Sequence, residues 1–207
     1  MQTYIKPQLS DWLTLTARPT KEAQDLQKIV LDVFGKIQTE KDQALIDFTE
    51  KFDQVKLTSL EVSTQEIEEA KTLISEDLKQ AIQLAASNIE KFHTEQREEI
   101  KVIETTKGVN CWRESRGIEN VGIYIPGGTA PLFSTTLMLG VPAKLAGCQN
   151  IILCTPPNKE GKIHPAILYT ANLIGIEKIY KVGGIQAIGA LTFGTETIQK
   201  VDKIFGP

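Results

Sequence analysis

Ile151-Ile152-Leu153-Cys154 is apolar at four consecutive positions, and that run decides the fold. A strand with one wet face alternates apolar and polar residues; an unbroken apolar run bounded by turn residues reads as a strand covered on both faces, as in a parallel sheet. The turn signal follows at once in Thr155-Pro156-Pro157. Working outward, Val121 to Ile125, Lys178 to Val182 and Val201 to Phe205 are the other strand candidates. Between the four lie stretches of helical length: Phe133 to Ala146, Pro165 to Ile174 and Ile185 to Phe193. The order β-α-β-α-β-α-β with right-handed crossovers predicts an α/β fold whose mostly parallel sheet carries helices on both faces.

Upstream the chain has a different character. Residues 1–117 hold 16 Lys/Arg and 21 Asp/Glu but only 3 Gly, whereas residues 118–207 hold 7 and 5 with 12 Gly. The shift predicts a helical amino-terminal region, 1–117, ahead of an α/β domain, 118–207. Ala23, Leu26, Val30, Val33 and Ile37 recur at helical spacing, with Pro19 and Thr20 as the start signal. A second helix is expected from Thr39, with Asp42 as an acidic capping partner and Leu45, Phe48 and Phe52 as its apolar face. A third begins at Ser63, where Glu66 completes a capping box. A fourth begins at Ser75 and is expected to bury Leu78, Ile82, Ala85, Ile89 and Phe92. Ile100 to Glu104 and Val109 to Glu114, flanking Thr-Lys-Gly, read as a hairpin.

Composition excludes several classes. The 207 residues are 24% charged with a net charge of -3, so no basic stripe points to nucleic acid or to an anionic membrane. No run of 18 apolar residues predicts a membrane span. Met1 to Asp11 lacks the order of a secretory signal, and three cysteines without a CxxC pair suit a reduced cytoplasm. With two histidines, His93 and His164, and no HExxH, no zinc site is expected wholly within this chain.

In an open parallel sheet ligands sit beyond the carboxyl ends of the strands. Two such ends carry glycine pairs. Tyr124-Ile125-Pro126-Gly127-Gly128-Thr129-Ala130-Pro131 leads into one helix, and Val182-Gly183-Gly184-Ile185-Gln186 into another. Glycine lets a backbone approach a ligand, and a helix start offers free N–H groups with a favourable dipole of roughly 0.3–2 kcal/mol per anionic charge. Glycine pairs also make plain tight turns. Neither corner matches GxGxxG, and no acidic residue follows the second strand, so a dinucleotide here would not bind in the ordinary Rossmann manner. Cys148 and Cys154 fall in apolar surroundings that disfavour a thiolate, and Cys111 beside Trp112 is expected to pack. His93 is expected on a solvated helix face and His164 on the surface.

These residues carry a family resemblance. Val121 to Thr135, Pro142-Ala143-Lys144-Leu145-Ala146-Gly147-Cys148, Leu153 to Pro157, Val182 to Ile188 and Ala190 to Glu196 resemble, in order, segments of histidinol dehydrogenase. Val201-Asp202-Lys203-Ile204-Phe205-Gly206-Pro207 resembles the start of a further family signature. The resemblance implies a Rossmann-like, aldehyde dehydrogenase-like sheet in 118–207. It implies a cytoplasmic homodimeric enzyme of histidine biosynthesis that oxidises L-histidinol to L-histidine through histidinaldehyde, with NAD and zinc. Tyr124 and Gln186 match NAD-contacting positions, and Gly127, Gly128, Gly183 and Gly184 join them as cofactor-binding candidates. The family's zinc ligands, its glutamate–histidine pair, a third NAD-contacting residue and most substrate contacts match positions past Pro207. The chain therefore reads as a truncated half, expected to be inactive alone. The alternatives are a sibling acting on another small alcohol such as a sulfonated diol, a non-catalytic nucleotide-binding module, or an aldehyde dehydrogenase with a cysteine nucleophile.

Overall fold

The computed structural model describes residues 3–17, 23–128 and 130–207, apart from the side chains of 23–25, and at its centre the run at 151–154 pairs with a parallel strand on each side. A 3-10 turn (Leu9–Asp11) and α1 (Trp12–Leu15) precede four helices: α2 (Ala23–Glu40), α3 (Asp42–Asp53), α4 (Thr64–Leu73) and α5 (Glu76–Thr94). An antiparallel hairpin of β1 (Ile103–Thr106) and β2 (Val109–Cys111) follows. Then come β3 (Asn120–Tyr124), α6 (Phe133–Leu145), β4 (Asn150–Cys154), α7 (Pro165–Leu173), β5 (Lys178–Tyr180), α8 (Gly184–Phe193) and β6 (Lys203–Phe205). The sheet order is β5-β4-β3-β6, all parallel.

That order places α6 and α7 on one face and α8 on the other, since the chain steps β3→β4→β5 and then returns past β3 to β6. The strand side chains divide accordingly. Val121, Ile123, Ile151, Leu153 and Ile179 pack with Ile167 and Leu168 of α7 and Ile67 of α4. Ile152, Cys154, Tyr180 and Val182 pack with Ala187 and Leu191 of α8, Val33 and Ile37 of α2, and Leu45 and Phe48 of α3. Gly122 in β3 admits α8, because a Cβ there would meet the Leu191 side chain at 3.0 Å. A third layer forms where Ile82 of α5 packs on Leu137 and Val141 of α6 and Tyr169 of α7.

Polar side chains align the strand starts. Asn120 donates from its backbone N–H and its amide to Asp202 at 3.0 and 2.9 Å, and its amide oxygen accepts from Asn150 at 3.0 Å. The start of β6 is thereby irregular: Val201, expected in the strand, instead donates its N–H to the carbonyl of Leu191.

The edge beyond β5 is occupied. Val62 donates to the Ile179 carbonyl at 2.9 Å and Lys181 to the Leu60 carbonyl at 2.7 Å, making an antiparallel bridge at Glu61 and Tyr180. The same segment leads into α4, whose capping box of Ser63 and Glu66 forms as expected. Glu66 also meets the ammonium of Lys181 at 2.7 Å, with side chains 21% and 10% exposed. One carboxylate thus caps a helix and neutralises a buried lysine.

Several expectations fail for tertiary reasons. Thr39 caps nothing: it lies inside α2, and its hydroxyl donates to the carbonyls of Gly35 and Lys36. The break falls at Lys41, in the left-handed region at φ 52°. The Asp42 carboxylate accepts from the Thr197 N–H and hydroxyl, while the Asp42 N–H donates to Glu196. Phe92, expected to be buried, is 65% exposed, while its neighbour His93 is half-buried. The residues flanking His93 are exposed, and its Nδ1 lies 2.7 Å from the Gln96 amide oxygen. Phe52 and Leu26 are also exposed. The hairpin is shorter than expected, and Cys111 and Trp112 are exposed rather than packed. The expected helix start at Pro19 and Thr20 lies outside the described residues, as does Thr129.

Asp53, at the end of α3, has a buried Oδ2 without a hydrogen-bond partner among the described residues, and burial raises its carboxyl above the usual 3.8. A raised carboxyl binds its proton more tightly in the folded state, so stability falls as pH rises from 3.8 through the folded value. Asp53→Asn is expected to stabilise the chain at neutral pH by up to about 1 kcal/mol and to leave stability unchanged below that window. Urea midpoints across pH check this.

Candidate nucleotide-binding rim

The strand order reverses between β3 and β6, and the crevice at such a reversal, outside the carboxyl ends, is where an open α/β sheet holds its ligands. Tyr124 ends β3 beside it. Gly206, after β6, closes on Tyr124 so tightly that a Cβ there would come 2.9 Å from the Tyr124 carbonyl oxygen. The tyrosine hydroxyl crosses to the second glycine corner and accepts from the Gly184 N–H at 3.0 Å. Gly184 opens α8 at φ 58°, a conformation that favours glycine, and a Cβ on it would lie 3.0 Å from the Gln186 amide oxygen. Gln186 itself is 2% exposed, and Gly183 is the residue that caps the helix. The phenol of Tyr124 and the amide of Gln186 therefore converge on the first turn of α8.

The two corners are joined by a third loop. A Cβ at Gly127 would come 2.6 Å from Pro156 Cγ, and one at Gly183 would come 2.5 Å from Pro156 Cβ. Pro156, just past β4, is thus wedged between them. One glycine of each pair is small for packing. The other glycines differ: among the described residues nothing outside its chain neighbours stands within 4 Å of the Cβ position at Gly128, and Gly184 is required by its backbone angle. Gly127 and Gly128 border a cleft of about 220 Å³ at the ends of β3 and β4.

Cysteine chemistry has no support at these strand ends. Cys154 is fully buried, and burial pushes its thiol up to about 12, far from the thiolate a nucleophile needs. Cys148 is half-buried and Cys111 exposed. Alkylation near pH 8 is expected to modify Cys111 first and Cys154 only on unfolding; mass-mapped labelling of Cys154 in the native chain would contradict this. His164 is exposed, as expected, but has a structural task the sequence reading missed. It caps α7, its Nδ1 accepting from the Ala166 N–H at 3.1 Å, and the signal was the Pro165 at the first helical position.

Among the described residues no three His, Cys, Asp or Glu side chains converge as a metal site. No helix among them is long and apolar enough to cross a membrane.

The profile of the histidinol dehydrogenase family matches residues 16–207. The chain is 53% identical over 208 residues to a histidinol dehydrogenase of Bacteroides thetaiotaomicron, covering 100% of this chain and 49% of that protein. It is 44% identical over 206 residues to one of Escherichia coli O6:H1, covering 95% and 46%. A crystal structure of histidinol dehydrogenase from Elizabethkingia anophelis superposes with a TM-score of 0.92 at 68% identity, covering 100% of this chain and 48% of that one. The chain spans about half the length of the curated relatives it matches.

Proposed function

The chain belongs to the histidinol dehydrogenase family, an oxidoreductase family, and from that premise we propose that it supplies the nucleotide-binding half of an NAD-dependent oxidation of L-histidinol to L-histidine through histidinaldehyde. The α/β unit 118–207 carries the cofactor and the helices of 1–117 support it. The observation that carries the reading is the 3.0 Å bond from Gly184 to the Tyr124 hydroxyl, which gathers Tyr124, Gln186 and the start of α8 at one rim. The residues fit a dinucleotide. Beyond the Gly184 N–H, which the Tyr124 hydroxyl takes, the α8 start has the N–H groups of Ile185 and Gln186 for a phosphate, the buried Gln186 amide offers a donor and an acceptor, and Gly128 leaves space for close approach among the described residues.

When bound, the nicotinamide accepts hydride from the alcohol carbon. This chain's part is positional. Tyr124 and Gln186 fix one end of the ligand against the sheet, and the Pro156 wedge fixes the distance between the two corners. Removal of the alcohol proton needs a base, a role that this reading assigns to neither Tyr124 nor Gln186. Zinc does not fit the described residues, and no step is assigned to it. The cytoplasmic homodimer implied by the family resemblance belongs to the same proposal.

Titration of the 207-residue chain with NAD, followed by NMR, tests the reading. Signals of Gly184 and Gln186 are expected to move with an affinity weaker than micromolar, and Gln186→Ala is expected to weaken binding by roughly threefold or more. If NAD moves neither signal, the reading fails. With histidinol, NAD and zinc added, the chain alone is expected to form no NADH above background.

A further inference from the structure

The Tyr124 hydroxyl stands where an anion would. The first backbone bond of α8 runs from the Ala187 N–H to the Gly183 carbonyl at 3.1 Å, so the N–H groups of Gly184, Ile185 and Gln186 have no partner within the helix. Of the three, only that of Gly184 is engaged among the described residues, by the phenol oxygen of Tyr124 at 3.0 Å. A second group is aimed at the same turn. The Gln186 side chain is 2% exposed, and its amide oxygen lies 3.0 Å from where a Cβ on Gly184 would stand. That amide makes no hydrogen bond among the described residues, and a buried amide without a partner in the chain points to one from outside.

The base of the tyrosine side chain is held and its tip is not. The Gly206 backbone closes on the base, where a Cβ at Gly206 would lie 3.2 Å from Tyr124 Cβ and 3.5 Å from Cδ1. The tip has the single bond to Gly184, and the residue is half-buried. That bond joins two neutral groups. An anionic oxygen at the same N–H makes a charge-assisted bond about twice as strong, and the helix dipole favours it further. A phenol turned out of the rim meets water.

We propose that Tyr124 is a latch: in the empty chain its hydroxyl holds the Gly184 N–H, and a phosphate oxygen of the nucleotide takes that N–H and turns the hydroxyl out, the ring remaining as a wall of the site. The proposal rests on the reading of this rim as a dinucleotide site and adds how the site opens. The N–H groups of Ile185 and Gln186 receive the phosphate first, and that of Gly184 joins them when the latch is released. Every ligand that uses the Gly184 N–H must break the same bond, so the latch lowers all their affinities by the same factor. A small anion with no other contact is held off, whereas a dinucleotide with further contacts through Gln186 still binds.

Tyr124→Phe keeps the ring and removes the latch, so its effect has the opposite sign to the loss of a direct contact. NAD and inorganic pyrophosphate, titrated separately by NMR into the wild-type and variant 207-residue chains, are each expected to bind the variant roughly two- to fivefold more tightly. In the wild-type chain the nuclear Overhauser contact between the Tyr124 ring and the Gly184 amide proton is expected without ligand and lost at saturation with NAD, a measurement that stands even where Tyr124→Phe fails to fold. NAD binding the variant equally or more weakly, or the contact surviving saturation, overturns the latch and leaves the dinucleotide reading standing. Tighter NAD with unchanged pyrophosphate overturns the assignment of the Gly184 N–H to a phosphate. NAD moving neither the Gly184 nor the Gln186 signal of the wild-type chain overturns the dinucleotide reading and the latch with it.

Discussion

Gly183→Ala is expected to destabilise the chain by about 1–3 kcal/mol, and Gly127→Ala by a similar amount, because each new methyl group meets Pro156 inside a closed junction. The two differ in what relieves them. The Gly127 methyl would meet Pro156 Cγ at 2.6 Å, with the next atom, Cβ, at 3.7 Å. Pro156→Ala removes Cγ and should restore Gly127→Ala. The Gly183 methyl would meet Cβ at 2.5 Å and Cα at 3.2 Å, atoms that alanine keeps, so the same change should not restore Gly183→Ala. Urea unfolding of the three single and two double variants measures this as a coupling energy of about 1 kcal/mol or more for one pair and near zero for the other. Equal rescue of both, or of neither, refutes the wedge.

Glu66→Gln is expected to cost about 2–3 kcal/mol, since it strands the ammonium of Lys181, which is 10% exposed, and removes the charge from a helix cap. Lys181→Met should cost less, because Glu66 keeps both bonds to Ser63 and more contact with water. Burial alone would raise the Glu66 carboxyl. The hydrogen bond and charge of Lys181 and the bonds from Ser63 outweigh burial and hold it below the usual 4.5. A lowered carboxyl contributes stability that is complete above 4.5 and is lost as pH falls through the folded value. Stability of the wild-type chain should therefore drop on acidification below 4.5, and Glu66→Gln should flatten that drop. Parallel acid profiles for the two proteins would remove Glu66 from this role.

What could be read in advance was what neighbours in sequence decide. The unbroken run at 151–154 gave away a two-sided strand, and Ser63 with Glu66 three residues later gave away a helix start. The two glycine corners were visible as candidate ligand loops, and their meeting through Tyr124 follows from strand order. What stayed hidden depends on partners far away in the chain. Thr39 looked like a cap because its hydroxyl is a good acceptor, but Asp42 finds Thr197 and Glu196 some 155 residues on, and the break moves to Lys41. Nothing in Leu60-Glu61-Val62 announces pairing with β5. Nor does a glycine declare whether it makes room for a ligand or for a proline, and Pro156 lies nearly thirty positions from each corner it fills.

The short segment at 60–62 has one more consequence. By spending the outward-facing amide and carbonyl groups of residues 179–181, it turns that side of the sheet into a finished selvedge. Only the far border, at Lys203-Ile204-Phe205, keeps its hydrogen-bonding row open among the described residues. Any strand added later, from this polypeptide or another, can lengthen the weave in one direction alone, and that direction runs past the reversal beside Tyr124.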